Sequence, residues 1–92
     1  MERVVLSKGL STWMVSYYDR KGEQHIVATF TDGPLQNRLM VSTARDLAKA
    51  KLLETISVEA NDAALTKLFK RVPETVNAAA ADALEKYAEL MT

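Results

Sequence analysis

The residues able to do chemistry in this chain are few. His25 is the only histidine and there is no cysteine, which excludes thiol nucleophiles, disulfides and thiolate metal sites. A serine–histidine–carboxylate set would have to form around His25. No Gly-x-Ser-x-Gly or comparable context accompanies it, so His25 reads as a plain solvent-facing strand residue. One histidine among scattered acids gives no metal-ligand spacing. Only three glycines occur, each isolated, so no glycine-rich strand-to-helix turn is present to cradle a phosphate. Paired carboxylates for glycoside chemistry need a cleft that a domain this small rarely builds. The expectation is a protein that is not an enzyme and takes no metal or cofactor.

The elements that would position any binding residues follow from a change of rhythm. Up to about residue 41, apolar residues alternate with polar ones. From residue 42 they recur every three or four positions, as in Leu65, Leu68, Phe69 and Val72, and again in Val76, Ala79, Ala80, Ala83, Leu84 and Tyr87. A strand-rich half (1–41) followed by a helical half (42–92) predicts one α+β domain. The expected architecture is a small antiparallel sheet of three or four strands followed by three helices packed on one face, βββ(β)ααα.

Strands are expected over residues 2–7, 11–18 and 24–31, with a short fourth over 38–41. Asp19-Arg20-Lys21-Gly22 reads as the turn between the second and third, because Asp suits its first position and Gly tolerates positive φ at its last. Pairing Tyr18 with Glu23 sets Val15 against Ile26 and Trp13 against Ala28. One face then carries Trp13, Val15, Tyr17, Ile26, Ala28 and Phe30, and the other Met14, Ser16, Tyr18, His25, Val27 and Thr29. A three-residue loop with a bulge would shift that register by one. Ser42 or Thr43 is the expected cap of a first helix reaching about residue 55. Asn61 is the expected cap of a second helix, and Pro73 opens a third that runs toward Leu90.

Composition narrows the function classes. The chain has 92 residues, 48% hydrophobic and 26% charged, which is globular rather than disordered. Twelve basic and twelve acidic residues cancel. Their distribution is uneven: net +1 over residues 1–41, +2 over 42–71 and −3 over 72–92. A free-standing binder of bare duplex DNA usually carries a stronger basic excess. The N-terminal apolar run is too short for a signal peptide, so the expected location is the cytoplasm, with no membrane contact.

The segment Trp13-Met14-Val15-Ser16-Tyr17-Tyr18-Asp19-Arg20-Lys21-Gly22, followed by Thr29-Phe30, resembles the hairpin of the three-stranded arm-binding domain of phage-type tyrosine integrases. The resemblance covers about 18 of the 92 residues. It implies DNA backbone and groove contacts from the sheet. The return strand, Glu23-Gln24-His25-Ile26-Val27-Ala28, departs from that pattern in lacking basic residues.

Met14 and Tyr18 are expected to face away from the helices, near Arg20 and Lys21, and Arg45 and Lys49 share a helix face. Exposed Met, Tyr and Arg are enriched at protein interfaces. The candidate partner-binding residues are therefore Met14, Tyr18, Arg20, Lys21, Arg38, Arg45 and Lys49. The reading is a small non-enzymatic protein that docks on a larger protein or nucleoprotein assembly and modulates or inhibits it. Phage and mobile-element accessory proteins, including the anti-CRISPR type, are of this kind. The alternatives are a nucleic-acid-binding hairpin and a self-associating module that forms homodimers through a strand edge.

Overall fold

The computed structural model describes residues 2–61, 63–64 and 75–77. Its elements are β1 (Arg3–Lys8), β2 (Thr12–Tyr18), β3 (Gln24–Thr31), α1 (Pro34–Ala50), β4 (Thr55–Glu59) and β5 (Thr75–Asn77). They form one sheet in the order β3-β2-β1-β4-β5. β1–β2, β2–β3 and β4–β5 are antiparallel, whereas β1–β4 is parallel. The class is α+β, but the sheet is mixed and the order begins βββαβ, not βββ(β)ααα.

The differences have physical causes. Pro34 stands in the first turn of α1, where its fixed φ suits a helix start and no amide is missed. From there Asn37, Met40, Val41, Ala44 and Ala48 are all buried at a helical spacing. The 3.6-residue period thus begins before residue 42, and residues 38–41 are helix rather than a fourth strand. Ser42 and Thr43 lie mid-helix instead of capping it. The Thr43 hydroxyl donates to the Leu39 carbonyl one turn back (2.8 Å).

The first helix also stops short of residue 55. Leu52 N–H bonds the Lys49 carbonyl and Leu53 N–H the Ala48 carbonyl, the paired bonds of a Schellman stop. The chain then enters β4, whose alternation of buried Ile56 and Val58 with Thr55, Ser57 and Glu59 is a strand period. Asn61 is a cap as expected: its Oδ1 accepts the Ala64 N–H (2.9 Å), and residues 63 and 64 are helical. The remainder of that second helix lies outside the described residues, as does most of the expected third. Thr75–Asn77, placed in the first turns of that third helix by its spacing, is instead strand β5 against β4.

The core lies between α1 and one sheet face. It contains Val4 and Leu6 of β1, Trp13 and Val15 of β2, Ile56 and Val58 of β4, and Met40, Val41, Ala44 and Ala48 of α1. Tyr17, Phe30 and Leu47 pack against it half-buried. The middle of β1 is excluded from solvent on both faces, since Val5 is buried on the side away from α1 beside its buried partner Ser16.

The β2–β3 register departs from the expected one. Tyr18 pairs with Gln24 and Tyr17 with His25, while Val15 pairs with Ala28 and Trp13 with Phe30. The turn therefore shifts the pairing by one. A bulge shifts it once more, because Val15 opposes Ala28 while Ser16 opposes Ile26, leaving Val27 as the extra residue. As a result His25 comes to the α1 side of the sheet, and Ile26 is turned to the far side and left 62% exposed.

Leu52 sits at the Schellman position with φ 56°, left-handed backbone that favours glycine. Its side chain is 90% exposed, so little packing offsets the strain. Leu52→Gly is expected to stabilise the fold by about 0.5–1 kcal/mol, after allowing for the greater unfolded-state entropy of glycine. Urea denaturation of the two proteins measures this, and an unchanged or lower midpoint contradicts it.

Candidate functional site

A polar constellation is built where the β2–β3 turn meets the C-terminal end of α1. The turn is locally determined. Gly22 adopts φ 84° and its N–H reaches the Asp19 carbonyl (3.0 Å). Asp19 Oδ1 accepts the N–H groups of Lys21 (2.9 Å) and Glu23 (3.0 Å). That leaves Oδ2 directed at His25 Nε2, 2.9 Å away. The pairing set at the turn, Tyr17 with His25, is what puts His25 on this side. Its ring stacks on Tyr17 with centroids 6.0 Å apart.

Tyr17 links this turn to the start of β1. Its hydroxyl donates to Glu2 Oε2, and Arg20 Nε donates to Glu2 Oε1 (2.8 Å). The Lys51 ammonium lies 4.5 Å from the Tyr17 ring centroid, a cation–π distance. Tyr17, His25, Val27, Leu47 and Lys51 together line an open groove of ≈ 440 Å³ between β3 and α1.

The electrostatics follow from these contacts. The Tyr17 hydrogen bond, then that of Arg20, holds the Glu2 carboxyl below its usual range. The same bond pushes the Tyr17 hydroxyl up. Hydrogen bonding to His25, then to the Glu23 amide, lowers the Asp19 carboxyl. Glu2 raises the Arg20 guanidinium. A raised tyrosine tied to a carboxylate is poorly suited to act as a base or nucleophile. The Asp19–His25 pair resembles the orienting half of a triad, but among the described residues no hydroxyl is hydrogen-bonded to the imidazole.

One donor set escaped the sequence reading. Ligand atoms of Asp19, Glu23 and His25 lie within 4.8 Å of one another. The i, i+2 spacing of Glu23 and His25, one strand period, was a legible signal. Asp19 joins them through the turn closure.

The residues expected to bind a partner fall in three places. Met14 and Tyr18 are half-buried on the sheet face away from α1, with Arg3 over the Tyr18 ring at 4.4 Å. Arg20 and Lys21 are exposed on the β2–β3 turn, and Arg20 is engaged by Glu2. Arg38, Arg45 and Lys49 lie along one stripe of α1, at i, i+7 and i+11. Arg45 donates to Asp46 Oδ1 (3.0 Å) and to the Ser42 hydroxyl (3.3 Å). Met14 and Tyr18 are thus separated by the sheet from the basic stripe. Lys67, Lys70 and Arg71 lie outside the described residues.

Comparison with protein-family models, with curated proteins and with solved structures finds no match to this chain. Among the described residues no helix is long and apolar enough to cross a membrane.

The Glu2 contacts give the fold a pH dependence of definite sign. With the folded carboxyl held below its unfolded value, the unfolded chain takes up the proton first. The stabilisation is therefore present above about pH 4.5 and is lost as pH falls through the folded value. Glu2→Gln is expected to lower the urea midpoint at about pH 7, and the gap from wild type should close by about pH 2. Equilibrium unfolding at both values checks it. A gap that persists in acid would show that the charge of Glu2 is not what stabilises.

Proposed function

We propose that this protein is a non-enzymatic binding module that docks on a larger protein assembly through β3 and the groove beside it. The bulge at Val27 carries the reading. A regular β3 would place Ile26 against the core side, where full burial of such a side chain contributes roughly 1.5–3 kcal/mol. The bulged strand forgoes that contribution. It exposes Ile26 on one side and Val27 on the other, Val27 being 46% exposed at the mouth of the groove. A local departure from the hydrophobic pattern without a packing gain is a mark of a functional surface.

The strand supports a protein partner over a nucleic acid. β3 is the terminal strand of the sheet, and among the described residues nothing pairs with its outer edge. Between Gln24 and Thr31 there is no lysine or arginine, so a phosphate backbone would meet no cation along it. Exposed aliphatic side chains flanked by Tyr17 and Arg20 suit the apolar centre and polar rim of a protein interface. A modulating or inhibitory effect follows if the surface covered on the partner is one that it uses.

Val27→Arg tests this directly, by adding bulk and charge at the mouth of the groove without touching the core. Tagged wild-type and variant proteins would be used to capture partners from host lysate, with nuclease and high-salt washes. The expected outcome is a discrete protein set that survives both washes with wild type and is lost with Val27→Arg, while the circular dichroism spectra coincide. Identical capture by the variant would overturn the docking surface, and release of the captured set by nuclease would favour the integrase-like hairpin. A concentration-dependent mass without partner would favour self-association.

A further inference from the structure

We propose that Asp19, Glu23 and His25 form a binding site for a divalent transition-metal ion, with Zn²⁺ the best match. The site would be built by the β2–β3 turn and the start of β3; it shares His25 with the groove described above but does not rest on the docking reading.

Three observations carry this. The first is the donor set. Two carboxylates and one imidazole present ligand atoms within 4.8 Å of one another. Asp19 Oδ2 and His25 Nε2 are 2.9 Å apart, and two ligands about 2.1 Å from a common ion are separated by about 3.0–3.4 Å at tetrahedral to octahedral angles. The ion replaces the hydrogen bond between those two atoms with little movement of either.

The second is that the two central ligands are already held. Asp19 is fixed through its other oxygen by the Lys21 and Glu23 amides, leaving Oδ2 as the free donor. The His25 ring is oriented by its stack on Tyr17. This is the support that outer contacts lend to metal ligands. The third is the pairing at the turn. In the register expected from the hydrophobic pattern, His25 lies on the sheet face away from Tyr17. The observed pairing, shifted by one at the turn, instead sets it opposite Tyr17, within reach of Asp19.

The chemistry of the set selects the ion. Imidazole nitrogen favours Zn²⁺ and its neighbours over Mg²⁺ and Ca²⁺, which prefer all-oxygen shells. Three protein ligands on an exposed turn leave a fourth position for solvent. The positive ion would also separate the carboxylates of Asp19 and Glu23, which otherwise face one another at short range.

Zn²⁺ alone is the probe, titrated into the full chain and followed by calorimetry and by ¹H–¹⁵N spectra. The expected result is one saturable site, with shifts centred on residues 19–25. Glu23→Gln and His25→Ala should each weaken it by at least about tenfold. Glu23→Gln removes a charge from an exposed side chain and is not expected to disturb the fold. Absence of saturable binding overturns the proposal, and so does unchanged affinity in both variants. Equal affinity for Mg²⁺ would also overturn it, because it would mean that the imidazole takes no part.

Discussion

A parallel strand cannot be reached by a tight turn, and the parallel pairing of β1 with β4 governs most of this molecule. β1 is hydrogen-bonded on both edges, and its middle residues Val4, Val5 and Leu6 are buried on both faces. To lay a further strand beside it in the same direction, the chain must leave β3 at the far edge and cross the sheet. α1 makes that crossing. At 1.5 Å per residue its 17 residues span about 25 Å, ample for the width of the intervening strands. The crossing supplies the core, since the apolar stripe of α1 lies over β1, β2 and β4. It also brings the C-terminal end of α1 back to the end of the sheet that carries the β2–β3 turn. Lys51 and Leu47 meet Tyr17, His25 and Val27 there only because the helix has that length and direction.

Two kinds of order coexist at that corner. The turn is specified by neighbours in the chain: an Asp that hydrogen-bonds two amides and a Gly that accepts positive φ. The links from Glu2 to Tyr17 and Arg20, and from Lys51 to Tyr17, join residues far apart in sequence. They form only once β1, β2 and α1 are assembled. Charge at the corner is therefore tied to the integrity of the whole sheet, whereas the Asp19–His25 contact belongs to the hairpin itself.

The strand content of the first 31 residues was legible because each strand has a clear period of two and the turn has its own chemistry. β3 was bounded correctly at Gln24 and Thr31. The one-residue shift at the turn was legible as the alternative that a three-residue loop offers, but the second shift at Val27 was not. The hydrophobic pattern argues for burying Ile26, and no local signal marks Val27 as a residue to be bulged. α1 was misplaced because Pro34 reads equally well as the end of a strand and the start of a helix. Recognising the helix required Met40 and Val41 to be taken together with Asn37 and Ala44, and a buried asparagine interrupts the apolar stripe. β4 was hidden inside an expected helix, although Ile56 and Val58 alternate with polar residues. Its parallel partner lies some fifty residues upstream, where no short window can see it. Of the candidate site, Arg20 and Lys21 belong to the corner, while of its central residues Tyr17 and His25 were set by the hairpin register and Lys51 by the long-range topology.

The bulge in β3 also bears on how copies of the chain could stack. An edge of eight residues, unpaired among the described residues and rich in β-branched and aromatic side chains, is the kind of template on which identical chains stack into fibrils. Such stacking needs a flat ladder in constant register. One extra residue at Val27 puts the two halves of β3 out of phase, so an identical strand laid alongside can match either half but not both. The irregularity that leaves Ile26 and Val27 exposed thus also withholds from other copies of the chain the continuous edge they would need to polymerise.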